Sequence, residues 1–206
     1  MTVTIDYYYA VISGFAYLGE AELRRIAASS GATLVFKPVD IATVFAAIET
    51  TAPARQSAMR RAYRDLELLR WAQRRGLPLN VKPKYWPAPT VPATRLVLAM
   101  QNLGFDPGPL SSALLKAVWV EDRNIADPNT LRSIVEAVTS QHSAAIVERA
   151  ASADVGSLCE VTTREAIARG VFGSPTYFVD GEMFFGQDRL EFVAEKLGVP
   201  EPGAPA

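Results

Sequence analysis

The chain of 206 residues contains a single cysteine, Cys159, and a single histidine, His142. One cysteine cannot form an intramolecular disulfide, so a self-contained Cys-x-x-Cys redox cycle is excluded. One histidine and one cysteine also fall short of a zinc ligand set, and we expect no bound metal. We expect Cys159 to be a small buried side chain rather than a reactive thiol.

Excess charge and long apolar runs are missing as well. The 21 basic and 22 acidic residues give a formal net charge of -1, which argues against nucleic acid or a membrane surface as partner. No apolar run approaches the roughly 18–20 residues that cross a bilayer. The first six residues contain no basic segment of the kind that opens a secretion signal. These features favour a cytoplasmic protein.

The first forty residues have a strand, helix, strand pattern. Residues 3–9 are rich in β-branched and aromatic types, and residues 17–26 carry a helical apolar stripe that ends before Gly31. Residues 33–36 form a second strand pattern that stops at Pro38. A βαβ unit of this kind places the two strands parallel to each other.

From residue 44 to residue 169 the pattern is mostly helical. One helix ends at Gly76, just before Pro78, and carries Met59, Tyr63, Leu66 and Leu69 on one face. Further helices are predicted over residues 94–103, 110–119, 129–138, 143–151 and 163–169. The basic run on the first of these helices is predicted to be a solvated face; it comprises Arg60, Arg61, Arg64, Arg70, Arg74 and Arg75.

Strand patterns return over residues 176–179 and 182–185, on either side of Asp180-Gly181, a pair that favours a two-residue hairpin. Asp188 is predicted to cap a last helix over residues 190–197. The complete order predicts an α/β fold, a thioredoxin-like four-stranded mixed sheet with a large all-helical insertion, as in DsbA. We assign residues 1–43 and 163–198 to the thioredoxin-like domain, 44–162 to the insertion and 199–206 to a flexible tail.

Ser13 stands at the start of the first helix, where a thiol redox enzyme of this fold carries its nucleophilic cysteine. Backbone N–H groups and the helix dipole favour an anion at such a position. The serine hydroxyl can donate to a thiolate and lower the thiol pKa from about 8.5. The same serine could be a simple N-cap, and the two roles are compatible.

The segment Gly173-Ser174-Pro175-Thr176 is typical of the proline loop that faces this position. We predict a cis bond between Ser174 and Pro175, which would leave the Ser174 N–H and C=O free to pair with a bound peptide. The alternative is a trans proline that merely opens an edge strand. Glutathione is a peptide thiol that suits both this edge and Ser13.

The segment from Phe184 to Leu190 offers a second anchoring point. The Asp188 carboxylate can accept from an α-ammonium group, and the helix start can hold a carboxylate. Both groups occur on the γ-glutamyl end of glutathione. The alternative is a hairpin exit followed by an ordinary aspartate cap.

These segments together resemble the 2-hydroxychromene-2-carboxylate isomerase family, which is related to kappa-class glutathione transferases. The resemblance runs over nearly the whole chain. It rests on residues 13–18 (SGFAYL), Tyr63, 70–73 (RWAQ), 76–78 (GLP), 117–119 (AVW), 170–176 (GVFGSPT) and 185–190 (FGQDRL).

The resemblance implies a glutathione-dependent enzyme in which Ser13 contacts the glutathione sulfur. It implies that the tripeptide is held by Ser174, Pro175, Phe185, Gly186, Gln187 and Asp188. In that family the thiolate adds to an aromatic keto-acid substrate, which opens, rotates and expels the thiol to give a trans benzylidenepyruvate. Relatives are often dimers, so a homodimer is expected.

The chain departs from the family pattern at several positions. Gly14 follows the serine where proline is usual, Ser174 stands where valine is usual, and Phe45 and Arg55 fall where a lysine and an asparagine are common. Arg55 could clamp a substrate carboxylate, while Tyr85 and Trp86 could wall an aromatic pocket. Two alternatives stay open: a kappa-like glutathione transferase and a non-catalytic thioredoxin-fold module that binds peptides.

Overall fold

The structure, a computed structural model, describes residues 2–200 and is built around a four-stranded sheet. Its strands are β1 (Thr4–Tyr9), β2 (Thr33–Pro38), β3 (Thr176–Val179) and β4 (Glu182–Phe185). They lie in the order β2-β1-β3-β4. β1 is parallel to β2 and antiparallel to β3, and β3 is antiparallel to β4. The predicted thioredoxin-like mixed sheet is confirmed.

Helix α1 (Gly14–Ser30) makes the crossover between the two parallel strands. Its apolar stripe is fully buried at Leu18, Leu23 and Ile26. The helix ends at Gly31, which adopts φ +69°, a left-handed conformation that glycine reaches without strain. The βαβ prediction from the first forty residues is therefore confirmed.

Seven helices separate β2 from β3 in the part of the chain that the structure describes. They are α2 (Ile41–Ala47), α3 (Ala58–Arg75), α4 (Val91–Asn102), α5 (Gly108–Trp119), α6 (Pro128–Thr139), α7 (Ser143–Ala151) and α8 (Ala153–Ala168). The prediction of a short helix over 163–169 was wrong about its start. Ser152 accepts a hydrogen bond from the Val155 N–H and begins α8 ten residues earlier. That helix therefore runs through the predicted boundary at residues 162 and 163.

The carboxyl-terminal part follows the predicted hairpin and helix. Asp180 and Gly181 form the β3–β4 turn with φ values of 50° and 81°. A 3₁₀ turn (Gln187–Arg189) then leads into α9 (Leu190–Lys196). The prediction that Asp188 caps this helix was wrong, because Arg189 holds the N-cap position and no side chain caps it. Val199, placed in the predicted flexible tail, is buried, and residues 201–206 of that tail lie outside the described residues.

Only a narrow face of helix α3 packs against the core. Leu68 and Ala72 are buried there, and the larger apolar side chains that share the predicted face are 46–82% exposed: Met59, Tyr63, Leu66 and Leu69. Within residues 2–200, none of the helices is both long enough and apolar enough to span a membrane.

Candidate active site

Ser13 caps α1 with its side chain. Its Oγ accepts from the Ala16 N–H at 3.2 Å and donates to the Ser174 carbonyl oxygen at 3.1 Å. No described residue accepts a hydrogen bond from the backbone N–H of Gly14 or Phe15. The capping role is thus confirmed, and the first turn of the helix still presents two N–H groups that an anion could accept from.

Ser174 and Pro175 are joined by a cis peptide bond, as predicted. The Ser174 hydroxyl oxygen accepts from the Ala10 N–H at 2.9 Å, which fastens the proline loop to the end of β1. The expectation that both backbone groups of Ser174 are free was wrong for the carbonyl, since Ser13 donates to it. Its N–H has no acceptor within residues 2–200.

A second loop lies against the proline loop. The Gly186 N–H donates to the Pro175 carbonyl at 2.9 Å, and the Phe185 ring packs so closely on Gly173 that a Cβ there would collide with it. Gly186 adopts φ 102° and ψ 146°, a conformation essentially restricted to glycine. A Cβ at Gly186 would also collide with the carboxylate of Asp188. The structure therefore brings together Ser13, Ser174, Pro175, Phe185, Gly186 and Asp188.

Gln187 belongs to this loop but faces the interior. It is only 1% exposed, and its Oε1 accepts from Arg75 Nε at 2.9 Å. Arg75 also donates to the Gln187 carbonyl at 3.2 Å, so the end of α3 holds the loop in place. Burial lowers the pKa of Arg75. With its side chain occupied in this way, Gln187 can meet a ligand only through its backbone.

A cavity of about 200 Å³ lies between α3 and the proline-rich connection that follows it. Its walls include Arg61, Arg64, Asp65, Lys82 and Trp86. Of the three predicted substrate-binding residues, the structure brings Trp86 to this cavity. Arg55 is exposed in a 3₁₀ turn, and Tyr85 is 36% exposed; neither lines the cavity.

The predicted solvated basic face was wrong at two positions. Four of the six arginines are exposed, but Arg64 and Arg75 are partly buried, Arg64 against the Trp86 ring and Arg75 against Gln187. Their burial could have been predicted from how they are spaced relative to the core residues of α3. Arg64, Leu68, Ala72 and Arg75 are separated by four, four and three positions, so they share one side of α3.

Cys159 does not belong to the residues that these loops bring together. Cys159 is 5% exposed in α8, and burial raises the pKa of its thiol. Within residues 2–200, no group of three or more His, Cys, Asp or Glu side chains could hold a metal ion.

Comparison with known proteins agrees with this fold. Residues 4–198 match the DSBA-like thioredoxin domain. A 2-hydroxychromene-2-carboxylate isomerase from Sphingobium xenophagum is 30% identical over 201 residues, covering 96% of this chain and 99% of that protein. An isomerase of the same name from Pseudomonas putida is 29% identical over 198 residues, covering 94% of each chain. The solved structure of a 2-hydroxychromene-2-carboxylate isomerase superposes with a TM-score of 0.79 at 26% identity, covering 95% of this chain and 94% of that one.

The fold and the family match place the chain among proteins with a DSBA-like thioredoxin domain. Within them, it belongs to the family of 2-hydroxychromene-2-carboxylate isomerases. The predicted family and fold are confirmed, and the named relatives support an isomerase function.

Proposed function

We propose that this protein is a glutathione-dependent isomerase of the 2-hydroxychromene-2-carboxylate type. The observation that carries the proposal is the position of the Ser13 hydroxyl, at the start of α1 and 3.1 Å from the carbonyl of the cis-proline loop. The named isomerases that match nearly the whole chain support it.

The residues present fit glutathione. The unpaired N–H groups of Gly14 and Phe15 suit an anionic sulfur, and that of Ser174 suits a peptide backbone. The half-exposed Asp188 carboxylate can accept from an ammonium group beside Gly186. The residues that would hold the tripeptide are those predicted: Ser13, Ser174, Pro175, Phe185, Gly186, Gln187 through its backbone, and Asp188.

When bound, glutathione supplies a thiol sulfur that can add to an electrophilic carbon and later leave it. Ser13 has the task of keeping that sulfur ionised. Its hydroxyl proton, directed at Ser174 in the structure, would turn toward the thiolate and donate to it. Bringing a thiol pKa from about 8.5 to near 7 takes about 2 kcal/mol, within reach of one charged hydrogen bond and two helix N–H groups.

No imidazole supports this site. The histidine of the chain, His142, lies before α7 with its ring against Phe105, at a centroid distance of 4.6 Å. Addition and expulsion of a thiolate relies on a stabilised anion, which the Ser13 hydroxyl and the helix start can supply without a histidine.

An aromatic keto acid is the proposed substrate. Trp86 gives the cavity a flat apolar wall. The centroid of the Trp86 ring lies 6.1 Å from that of the Trp119 ring. The cationic side chains of Arg61, Arg64 and Lys82 outnumber the single acidic one, Asp65, which suits a carboxylate. Arg55 and Tyr85 lie outside the cavity and could contact only a substrate that extends beyond it.

The decisive experiment follows 2-hydroxychromene-2-carboxylate by absorbance with and without glutathione, together with a count of free thiols. We expect isomerisation that requires catalytic glutathione and leaves the thiol count unchanged. Stoichiometric loss of thiol would instead identify a transferase. Binding of glutathione in calorimetry without turnover of any electrophile would favour a peptide-binding module. Full activity without glutathione would exclude the proposed dependence.

A further inference from the structure

Arg64 lies in a box of three aromatic rings. Its guanidinium carbon is 4.7 Å from the ring centroid of Trp86, 5.5 Å from that of Trp119 and 5.7 Å from that of Phe15. We call these three residues the aromatic box. Ring faces attract a cation, but they carry no formal negative charge to balance it.

The charge of Arg64 has no carboxylate partner within residues 2–200. Two other partly buried arginines do have one: Arg169 pairs with Asp6, and Arg24 pairs with Glu20 at 3.4 Å. No described group accepts a hydrogen bond from Arg64, although its sequence neighbour Asp65 lines the same cavity. Burial lowers the pKa of Arg64, because the charged form loses water, and the Asp65 charge opposes this only in part.

The cavity beside Arg64 suits a flat anion. Three cationic side chains, Arg61, Arg64 and Lys82, line it against the single carboxylate of Asp65. Its volume of about 200 Å³ can take one aromatic ring next to Trp86. The guanidinium fork matches a carboxylate in two parallel hydrogen bonds, which a lysine ammonium cannot reproduce.

The aromatic box is fixed to the residues that flank Ser13. Phe15 lies two residues after it in the first turn of α1. The Trp119 indole N–H donates to the carbonyl of Ile12, the residue before Ser13, at 3.1 Å. An anion held by Arg64 would therefore lie on the α3 side of the helix start, across from the proline loop.

We infer that Arg64, with the adjoining cavity, forms an anion subsite that selects planar aryl carboxylates. The carboxylate binds the guanidinium, the ring packs on Trp86, and the conjugated carbon chain points toward Ser13. The assignment of this ligand as substrate rests on the proposed function, whereas the anion subsite rests on the geometry alone.

The test compares cinnamate with its neutral isostere cinnamamide, titrated without glutathione and followed by tryptophan fluorescence. We expect the wild type to bind cinnamate at least tenfold more tightly than the amide. Arg64→Gln should remove this preference, and Arg64→Lys should restore it only in part. Arg70→Gln is the matched control, because Arg70 is 63% exposed and pairs with Glu67 away from the cavity. It should leave both affinities unchanged.

Folding of the variant is checked by its melting temperature. Because Arg64→Gln removes a buried charge that has no carboxylate partner, we expect a melting temperature no lower than that of the wild type. A folded Arg64→Gln variant that still prefers cinnamate over cinnamamide would overturn the inference. So would an equal loss of affinity for both ligands, which would indicate a damaged pocket rather than a lost charge partner.

Calorimetry with glutathione separates this inference from the proposed function. If the wild type fails to bind glutathione but its preference for cinnamate still depends on Arg64, the proposed function fails and the anion subsite stands. If glutathione binds and supports isomerisation while Arg64→Gln leaves KM for the substrate and the cinnamate preference unchanged, the anion subsite fails alone.

Discussion

The Ser13 hydroxyl donates to the carbonyl of Ser174, a residue 161 positions away in the chain. The same oxygen accepts from the Ala16 N–H, so one side chain both caps α1 and joins it to the proline loop. Any thiolate at the helix start would compete with Ser174 for the Ser13 proton. A shift in this hydrogen bond would therefore be the structural sign that an anion occupies the helix start.

Replacing Ser13 by alanine tests this role. We expect turnover to fall about 10- to 100-fold, since a hydrogen bond to a charged group contributes about 1.5–3 kcal/mol. The pKa of bound glutathione should rise, as measured by thiolate absorbance. Loss of the cap should cost about 1 kcal/mol of unfolding free energy.

Ser152→Ala is the control for that loss of a cap. Ser152 caps α8 by accepting from the Val155 N–H at 3.3 Å, far along the chain from the site. It should lose similar stability without a change in turnover. An unchanged thiol pKa and unchanged turnover in Ser13→Ala would remove the serine from the chemistry.

Gly186→Ala is expected to weaken glutathione binding at least tenfold. The residue adopts φ 102°, and a side chain there meets the Asp188 carboxylate, so the loop must move. Calorimetry gives the affinity. Gly181→Ala provides a matched control, because Gly181 has φ 81° in the β3–β4 turn and a Cβ added there would meet nothing within 4 Å. Equal affinities in the two variants would contradict a role for Gly186 in the site.

Arg75→Met should destabilise the protein by about 1–3 kcal/mol, because it leaves the buried Gln187 oxygen without its donor. Glutathione affinity should fall with it, as the loop that carries Asp188 loses its support. Arg74→Gln serves as control, since Arg74 is 71% exposed and its carboxylate partner Glu191 is 3.8 Å away. Chemical denaturation measures the unfolding free energy of both variants. Similar unfolding free energies would show that Arg75 does not hold the loop.

The buried carboxyl of Glu20 is expected to make the stability of the protein depend on pH. Burial raises the pKa of this carboxyl, although Ser112 and Arg24 partly oppose the rise. Between the ordinary carboxyl pKa of about 4.3 and the raised folded value, the native state holds more protons than the unfolded state. Its unfolding free energy therefore falls as the pH rises through that window.

Glu20→Gln should remove this dependence, so that its stability relative to the wild type improves as the pH increases. Urea unfolding at a series of pH values gives the comparison. A difference between Glu20→Gln and wild type that does not vary with pH would show that the native Glu20 pKa is not raised.

The sequence predicts the sheet and most helices because their limits are set locally. Gly31 and Gly76 end helices through their own left-handed φ values, and Asp180-Gly181 forms the hairpin turn without help from distant residues. The start of α8 was missed because Gly156 and Ser157 interrupt its pattern with weak helix formers. A serine cap outweighs them in the folded chain.

The site could be predicted only in part. Ser13 and Pro175 occupy positions that a motif defines, so their proximity follows from the fold. The buried side of α3 depends instead on tertiary packing. Its exposed stripe, which includes Tyr63 and Leu66, is more apolar than the side that reaches the core, so Arg64 was assigned to solvent.

Gly14 lets the start of α1 pack directly against α3 and α5 because it has no side chain. A Cβ at this position would lie 2.9 Å from both Leu68 and the Trp119 indole, and the indole cannot slide away because its N–H is bonded to Ile12. Bringing in the proline found in relatives would thus call for a simultaneous trimming at 68 or 119. A search for new variants at position 14 should therefore use paired substitutions, since a side chain introduced there alone collides with both neighbours.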